Sequence, residues 1–157
     1  MGRVVGREEA RSLCDAQRQS GHRIVFTNGC FDLLHHGHAM ALVAARGLGD
    51  FLVVGVNDDA SVRRLKGLDR PFVPLEHRAG LLAALHSVDL VVPYAEDTPL
   101  ATIEALRPDV LVKGKDYREE DVVGAKEVRS WGGDVRLVEL VDGISSTEIA
   151  SRIRRDP

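Results

Sequence analysis

The stretch RIVFTNGCFDLLHHGHAMALVAARGLGDFLVVGV, residues 23–56, reads as strand, turn, helix and strand in direct succession. Residues 23–27 and 51–56 are short apolar runs with little alternation, the pattern of strands buried on both faces. Asn28-Gly29 breaks the first run, and residues 37–46 then carry apolar positions at helical spacing. Two such strands joined through a helix pair in parallel by a right-handed crossover.

The same alternation continues outward. Further strands are expected at 89–93, 110–113 and 135–139, and helices at 7–19, 74–85, 99–106, 119–131 and 145–154. This predicts an α/β fold: a single doubly wound, parallel, five-stranded sheet forming one domain over residues 1–157, with residues 1–20 packed on it as an N-terminal helical segment. A chain of 157 residues buries about two-thirds of its unfolded surface, enough for its own core.

Composition narrows the function. Apolar residues make up 44% and charged residues 29%, which fits a folded domain rather than a disordered one. Lys plus Arg total 21 against 24 Asp plus Glu, a net charge of -3, so no basic field exists to hold nucleic acid or an anionic membrane. Four Phe, two Tyr and one Trp are too few for a base-stacking surface. Apolar runs fall short of a membrane span and no secretory leader is seen. Cys14 and Cys30 cannot build a disulfide framework, so the chain is expected to be cytoplasmic.

In doubly wound sheets ligands bind beyond the carboxyl ends of the strands, where the strand order reverses. That singles out residues 28–38, 57–66, 114–117 and 140–147. No G-x-G-x-x-G follows a strand, and Gly114-Lys115 is followed by Asp116, so neither common phosphate loop is present. Three of the six histidines, His35, His36 and His38, fall within four residues. His35 and His38 are three apart and share one face of the first helical turn, with His36 pointing elsewhere as a bystander. Free N–H groups and the positive dipole end at a helix start make an anion site, to which two imidazoles add donors. Zinc held by His35 and His38 with Cys30 or Asp32 is the alternative, though the spacing matches no common site.

Ser145-Ser146-Thr147-Glu148 opens the last helix. Ser145 with Glu148 reads as a capping box, yet three consecutive hydroxyls also suit a second phosphate cluster. Lysine is scarce, and Lys66, Lys113 and Lys115 all sit beside these strand-end loops. Lys66 is either a solvated loop cation or a phosphate ligand, and Arg78 either a surface ion-pair partner or part of the site. Asp32 and Asp116 are the carboxylates best placed to meet Mg²⁺ or a sugar hydroxyl.

His35-His36-Gly37-His38 has the form H-x-G-H, and Ile144-Ser145-Ser146-Thr147 the form I-S-S/T-T. With the parallel sheet, they resemble the Rossmann-like nucleotidyltransferase superfamily that includes cytidylyltransferases and phosphopantetheine adenylyltransferase. Within it, TNGCFDLLHHGH, VGVNDDASVRRLKG, RPFVPLEHRAGLLAALHSVD, EDTPLATIEALRPDVLVKGKDY and GGDVRLVELVDGISST resemble the bacterial D-glycero-β-D-manno-heptose 1-phosphate adenylyltransferases, over residues 7–154. The resemblance implies transfer of AMP from ATP to that sugar 1-phosphate, giving pyrophosphate and ADP-heptose, a lipopolysaccharide precursor. A cytidylyltransferase acting on glycerol 3-phosphate or a related phosphorylated alcohol is the alternative.

It also implies roles. His35, His38 and Lys66 would be catalytic, His38 nearest the α-phosphate and Lys66 bridging it to the acceptor phosphate. Thr27, Asn28, Gly29, Phe31, Gly37 and Ser145 would serve the nucleotide, with Ser146 and Thr147 on its β- and γ-phosphates. Asp32 would order the loop or serve the acceptor, Arg78, Lys113 and Asp116 would serve the acceptor, and Lys113 and Asp116 would also reach the ribose. No protein-built metal site is implied; Mg²⁺ would arrive with ATP, and two copies would form a homodimer through residues 71–85. Two departures stand out. Lys115 replaces the second glycine of the family's K-G-G-D-Y, placing a cation on the acceptor side. Leu140, Val141 and Asp142 occupy the place where glycerol-3-phosphate cytidylyltransferases carry an arginine.

Overall fold

The computed structural model describes residues 1–139, 141 and 143–155, the side chain of Arg155 excepted. In chain order the elements are β1 (Arg3–Val4), α1 (Arg7–Gln19), β2 (Ile24–Gly29), α2 (His36–Arg46), β3 (Phe51–Asn57), α3 (Asp59–Lys66) and α4 (Leu75–Ala84). There follow β4 (Leu90–Tyr94), α5 (Leu100–Leu106), β5 (Val110–Gly114), a 3₁₀ turn (Glu119–Asp121), α6 (Ala125–Ser130), β6 (Asp134–Val138) and α7 (Ser146–Arg155).

All pairings are parallel, in the order β1-β4-β3-β2-β5-β6. From β2 the chain moves through β3 to β4 on one side, then returns to β5 and β6 on the other, so the order reverses between β2 and β5. Right-handed crossovers taken in opposite directions cover opposite faces. Leu42, Ala45, Ala79 and Leu82 of α2 and α4 pack on Val25, Val54, Val91 and Val112. Ala10, Cys14, Ile103, Leu106 and Val128 of α1, α5 and α6 pack on Ile24, Phe26, Val53 and Leu111. Alternate residues of one strand thus serve both cores, which is why the runs are continuously apolar; each fully buried large side chain contributes about 1.5–3 kcal/mol.

Three expectations are corrected. The sheet has six strands, because Arg3 and Val4 pair with Leu90 and Val91 at its edge; two residues are too few to show a period. The helix expected over 119–131 is a 3₁₀ turn followed by α6, separated at Gly124, whose φ of +88° no helix interior accepts. Residues 59–66 are α3 rather than loop, capped where the Asp58 carboxylate accepts from Ser61 N at 2.7 Å. Leu140 and Asp142, in the segment without the cytidylyltransferase arginine, lie outside the described residues, as do Asp156 and Pro157. No helix among the described residues is long and apolar enough to cross a membrane.

Candidate active site

β2 carries Thr27, Asn28 and Gly29 to the reversal point, where the Thr27 hydroxyl donates to Val112 O at 3.0 Å and ties β2 to β5. The loop that follows holds Phe31 and Leu33 at φ of 50° and 49°. Left-handed non-glycine residues cost roughly 1–3 kcal/mol each and persist only where the surroundings impose them. Asp32 imposes them. Its carboxylate accepts from Arg70 Nε at 2.9 Å, Phe72 N at 2.9 Å and Val73 N at 3.0 Å, while its carbonyl accepts from Ser146 Oγ. With that carboxylate enclosed and fully used, the expectation that Asp32 meets Mg²⁺ or the acceptor is corrected, and the other role expected of it, ordering the loop, is the one its partners fit.

The loop ends at His35, the N-cap of α2. His35 Nδ1 accepts from His38 N at 3.4 Å, so a neutral His35 carries its proton on Nε2. The two rings stack with centroids 3.8 Å apart and planes at 23°, and the Phe31 ring lies 5.3 Å from that of His38. Gly37 permits the stack, since a Cβ there would lie 3.0 Å from His35 Cε1. Burial pushes His38 down to about 4, helped by the neighbouring His35 and Lys66, and burial also lowers His35. Near pH 7 both rings are therefore neutral N–H donors, ready to gain a proton when anionic charge arrives. His36 is exposed. Replacing it with Ala is expected to leave kcat/KM within about twofold and stability within about 0.5 kcal/mol of wild type, measured by steady-state kinetics and urea unfolding.

These residues open on a cavity of about 500 Å³ above the carboxyl ends of the strands. It gathers Thr27, Asn28, Gly29, Phe31, Asp32, His38, Lys66, Lys113, Asp116 and Ser146 from among the expected residues. His35 and Gly37 stand behind His38. Lys113 Nζ donates to Asn28 O at 3.3 Å, and burial pushes its ammonium down to about 8 against the pull of Asp116. A larger groove of about 740 Å³, lined by Met1, Arg3, Val43 and Asp89, sits at the amino ends of the strands, where such folds do not bind ligands.

Other expected residues do different work. Arg78 is 1% exposed, and its guanidinium donates to Val73 O, Cys30 O, Asn57 O and the Asp59 carboxylate at 2.5–2.9 Å. It is an internal clamp, neither a surface ion pair nor an acceptor or interface contact. Its position beside Ala79 and one turn before Leu82 is the sequence sign of that burial. Ser145 Oγ accepts from Glu148 N at 3.1 Å and caps α7, whereas Ser146 holds the Asp32 loop. Lys115 is exposed and paired with Glu139, so the added cation does not line the cavity.

Two further residues form the cavity floor. Asn28 Nδ2 donates to Tyr94 OH at 3.0 Å, Tyr94 OH to Asn57 Oδ1 at 2.8 Å, and Asn57 Nδ2 to Ser61 Oγ at 2.9 Å. The chain of bonds anchors α3, and with it Lys66, to the strand ends. Asn57 and Tyr94 end β3 and β4, so the strand-end rule points to them, although neither charge nor motif marks them out. Among the described residues no three His, Cys, Asp or Glu side chains converge as metal ligands.

A family model described as cytidylyltransferase-like matches residues 26–152, from β2 into α7. The chain belongs to the cytidylyltransferase-like family. It is accordingly an enzyme of the nucleotidyltransferase kind. Proteins named bifunctional protein HldE are 57% identical over 152 residues in Acidiphilium cryptum and 53% over 152 residues in Pseudomonas aeruginosa, in each case 97% of this chain. The chain spans about a third of the length of these curated relatives, 31% and 32%. A lipopolysaccharide core biosynthesis protein from Thermoplasma volcanium is 28% identical with a TM-score of 0.64, over 77% of this chain and 98% of that one. A pantoate-β-alanine ligase from Francisella tularensis, at 15% identity and a TM-score of 0.64 over 99% of this chain and 80% of its own, shares the Rossmann-like fold.

Proposed function

We propose that this cytidylyltransferase-like chain transfers AMP from ATP to D-glycero-β-D-manno-heptose 1-phosphate, forming ADP-heptose and pyrophosphate in the cytoplasm as a homodimer. The observation that carries the reading is the stacked, neutral His35–His38 pair at the start of α2, whose His38 faces one cavity with Lys66 and Lys113. The set offers N–H donors to phosphate oxygens and no activated nucleophile. The likeness to the HldE proteins and to a lipopolysaccharide core protein supports a sugar phosphate as the acceptor.

The chemistry needs little else. A sugar phosphate oxygen is already anionic near neutral pH, so it attacks the α-phosphorus without a general base as the bond to the bridging oxygen breaks. The enzyme must align two polyanions and neutralise the charge that builds on the α-phosphate. His38 donates to that phosphate, steadied by His35 and Phe31. Lys66, at the exposed end of α3, reaches both the α-phosphate and the acceptor phosphate. Thr27, Asn28, Gly29 and Phe31 line the nucleotide side, and Lys113 and Asp116 the opposite wall. Mg²⁺ carried by the triphosphate would screen its charge, and Asp116 would be the residue to meet it, being the one expected carboxylate that lines the cavity with its oxygens unspent among the described residues.

Pyrophosphate release tests the reading, with ATP or CTP paired in turn with heptose 1-phosphate and glycerol 3-phosphate. Turnover is expected for ATP with the heptose phosphate; turnover only for CTP with glycerol 3-phosphate would establish the cytidylyltransferase alternative. Lys113 adds a pH signature. It is cationic below about pH 8 and neutral above, and polyanion binding favours the cation, so kcat/KM falls as pH rises through about 8. Lys113→Arg, which stays charged, should carry activity past that point in a profile from pH 6 to 10.

A further inference from the structure

We infer that the departing pyrophosphate is held by Arg70 and Arg154, which flank Phe72 in a second cavity adjoining the nucleotide site. The inference rests on the nucleotidyl-transfer reading. The second cavity measures about 690 Å³ and is lined by Lys66, Arg70, Phe72, Thr147, Ser151 and Arg154, with Asp69 beside them. Lys66 lines both cavities, while at the start of α7 Ser146 faces the first and Thr147 the second. The border between the two is therefore where Lys66 meets the α-phosphate.

Arg70 is held for a ligand it does not meet inside the protein. Asp32 takes its Nε, the side chain is 11% exposed, and neither terminal nitrogen has a hydrogen-bond partner among the described residues, Nη2 being fully buried. Its guanidinium lies 4.6 Å from the centroid of Phe72, and that of Arg154 lies 5.7 Å from the same centroid. Among the described residues the carboxylate nearest Arg154 is Asp69 at 3.9 Å, beyond hydrogen-bond reach and 85% exposed. Buried donors without partners carry a standing cost, which a bidentate phosphate ligand removes. The reaction supplies one. In-line displacement brings the acceptor oxygen in on one side of the α-phosphorus and expels pyrophosphate on the other. As the α-phosphorus–oxygen bond breaks, its electron pair and charge pass to the leaving pyrophosphate. With the acceptor in the first cavity, that charge develops toward Thr147, Arg70 and Arg154.

Calorimetric binding of inorganic pyrophosphate in Mg²⁺ buffer tests this, with AMP as the control that lacks both leaving phosphates. Arg154→Gln, on an exposed helix face, and Arg70→Lys, which keeps the charge beside Asp32 but loses the fork, should each weaken pyrophosphate about tenfold. AMP affinity should stay within about twofold in both variants. Wild-type pyrophosphate affinity in both variants, or a parallel loss of AMP binding, overturns the inference. Binding requires no turnover, so failure of the nucleotidyl-transfer reading shows separately, as absence of pyrophosphate release by wild type with every acceptor.

Discussion

Replacing His38 with Ala is expected to lower kcat by roughly 10²–10³ while KM changes several-fold at most. His38 is neutral in the free enzyme, held so by burial and by two neighbours that oppose its charge, His35 and Lys66. A neutral imidazole binds the ground-state triphosphate only modestly. As negative charge grows on the α-phosphate oxygens, the hydrogen bond strengthens and the ring's cationic form becomes favourable, so its contribution falls mainly in the transition state. His38→Gln keeps a donor without the capacity to become cationic and should recover only part of the loss. Steady-state kinetics with both substrates varied would check this. A His38→Ala enzyme with kcat near wild type would remove His38 from the reaction.

Replacing Asp32 with Asn is expected to destabilise the fold by about 3–5 kcal/mol, because Arg70 is left without its buried counter-charge and two backbone N–H groups face an amide. For a domain of this size that is on the order of 10 °C in Tm. Activity should fall with it at temperatures where the variant remains folded, since the carboxylate fixes the loop that bears Phe31, Leu33 and His35. Raising Mg²⁺ should restore neither. Thermal unfolding beside a Mg²⁺ titration of activity separates the two roles: unchanged Tm with a raised Mg²⁺ requirement would make Asp32 a metal ligand after all.

The contrast between these residues shows what a linear chain discloses. The strand, helix and strand of residues 23–56 follow from local apolar periodicity; His35 and His38 do meet, but with His35 as the N-cap on extended backbone rather than on the helical turn expected of it. The neutrality of the two rings is not legible there, because it comes from burial that only the closed fold creates and, for His38, also from Lys66 beside it. Asp32 looked like a ligand because its partners lie at residues 70–73, on a loop no local pattern connects to it. Arg78 looked like a surface charge because long-range carbonyls from Cys30, Asn57 and Val73 satisfy it. The strand at Arg3–Val4 exists only through its pairing with β4, and α3 is held by Ser61 and Val62 beneath an otherwise polar surface.

The central claim, that an acceptor phosphate oxygen displaces pyrophosphate from the α-phosphorus of ATP, is tested most directly with heptose 1-phosphate carrying ¹⁸O in its phosphate group. Mass spectrometry should find one ADP-heptose per pyrophosphate, all of the label in the ADP-heptose and none in the pyrophosphate. Label in the pyrophosphate, or pyrophosphate formed without ADP-heptose, would contradict it.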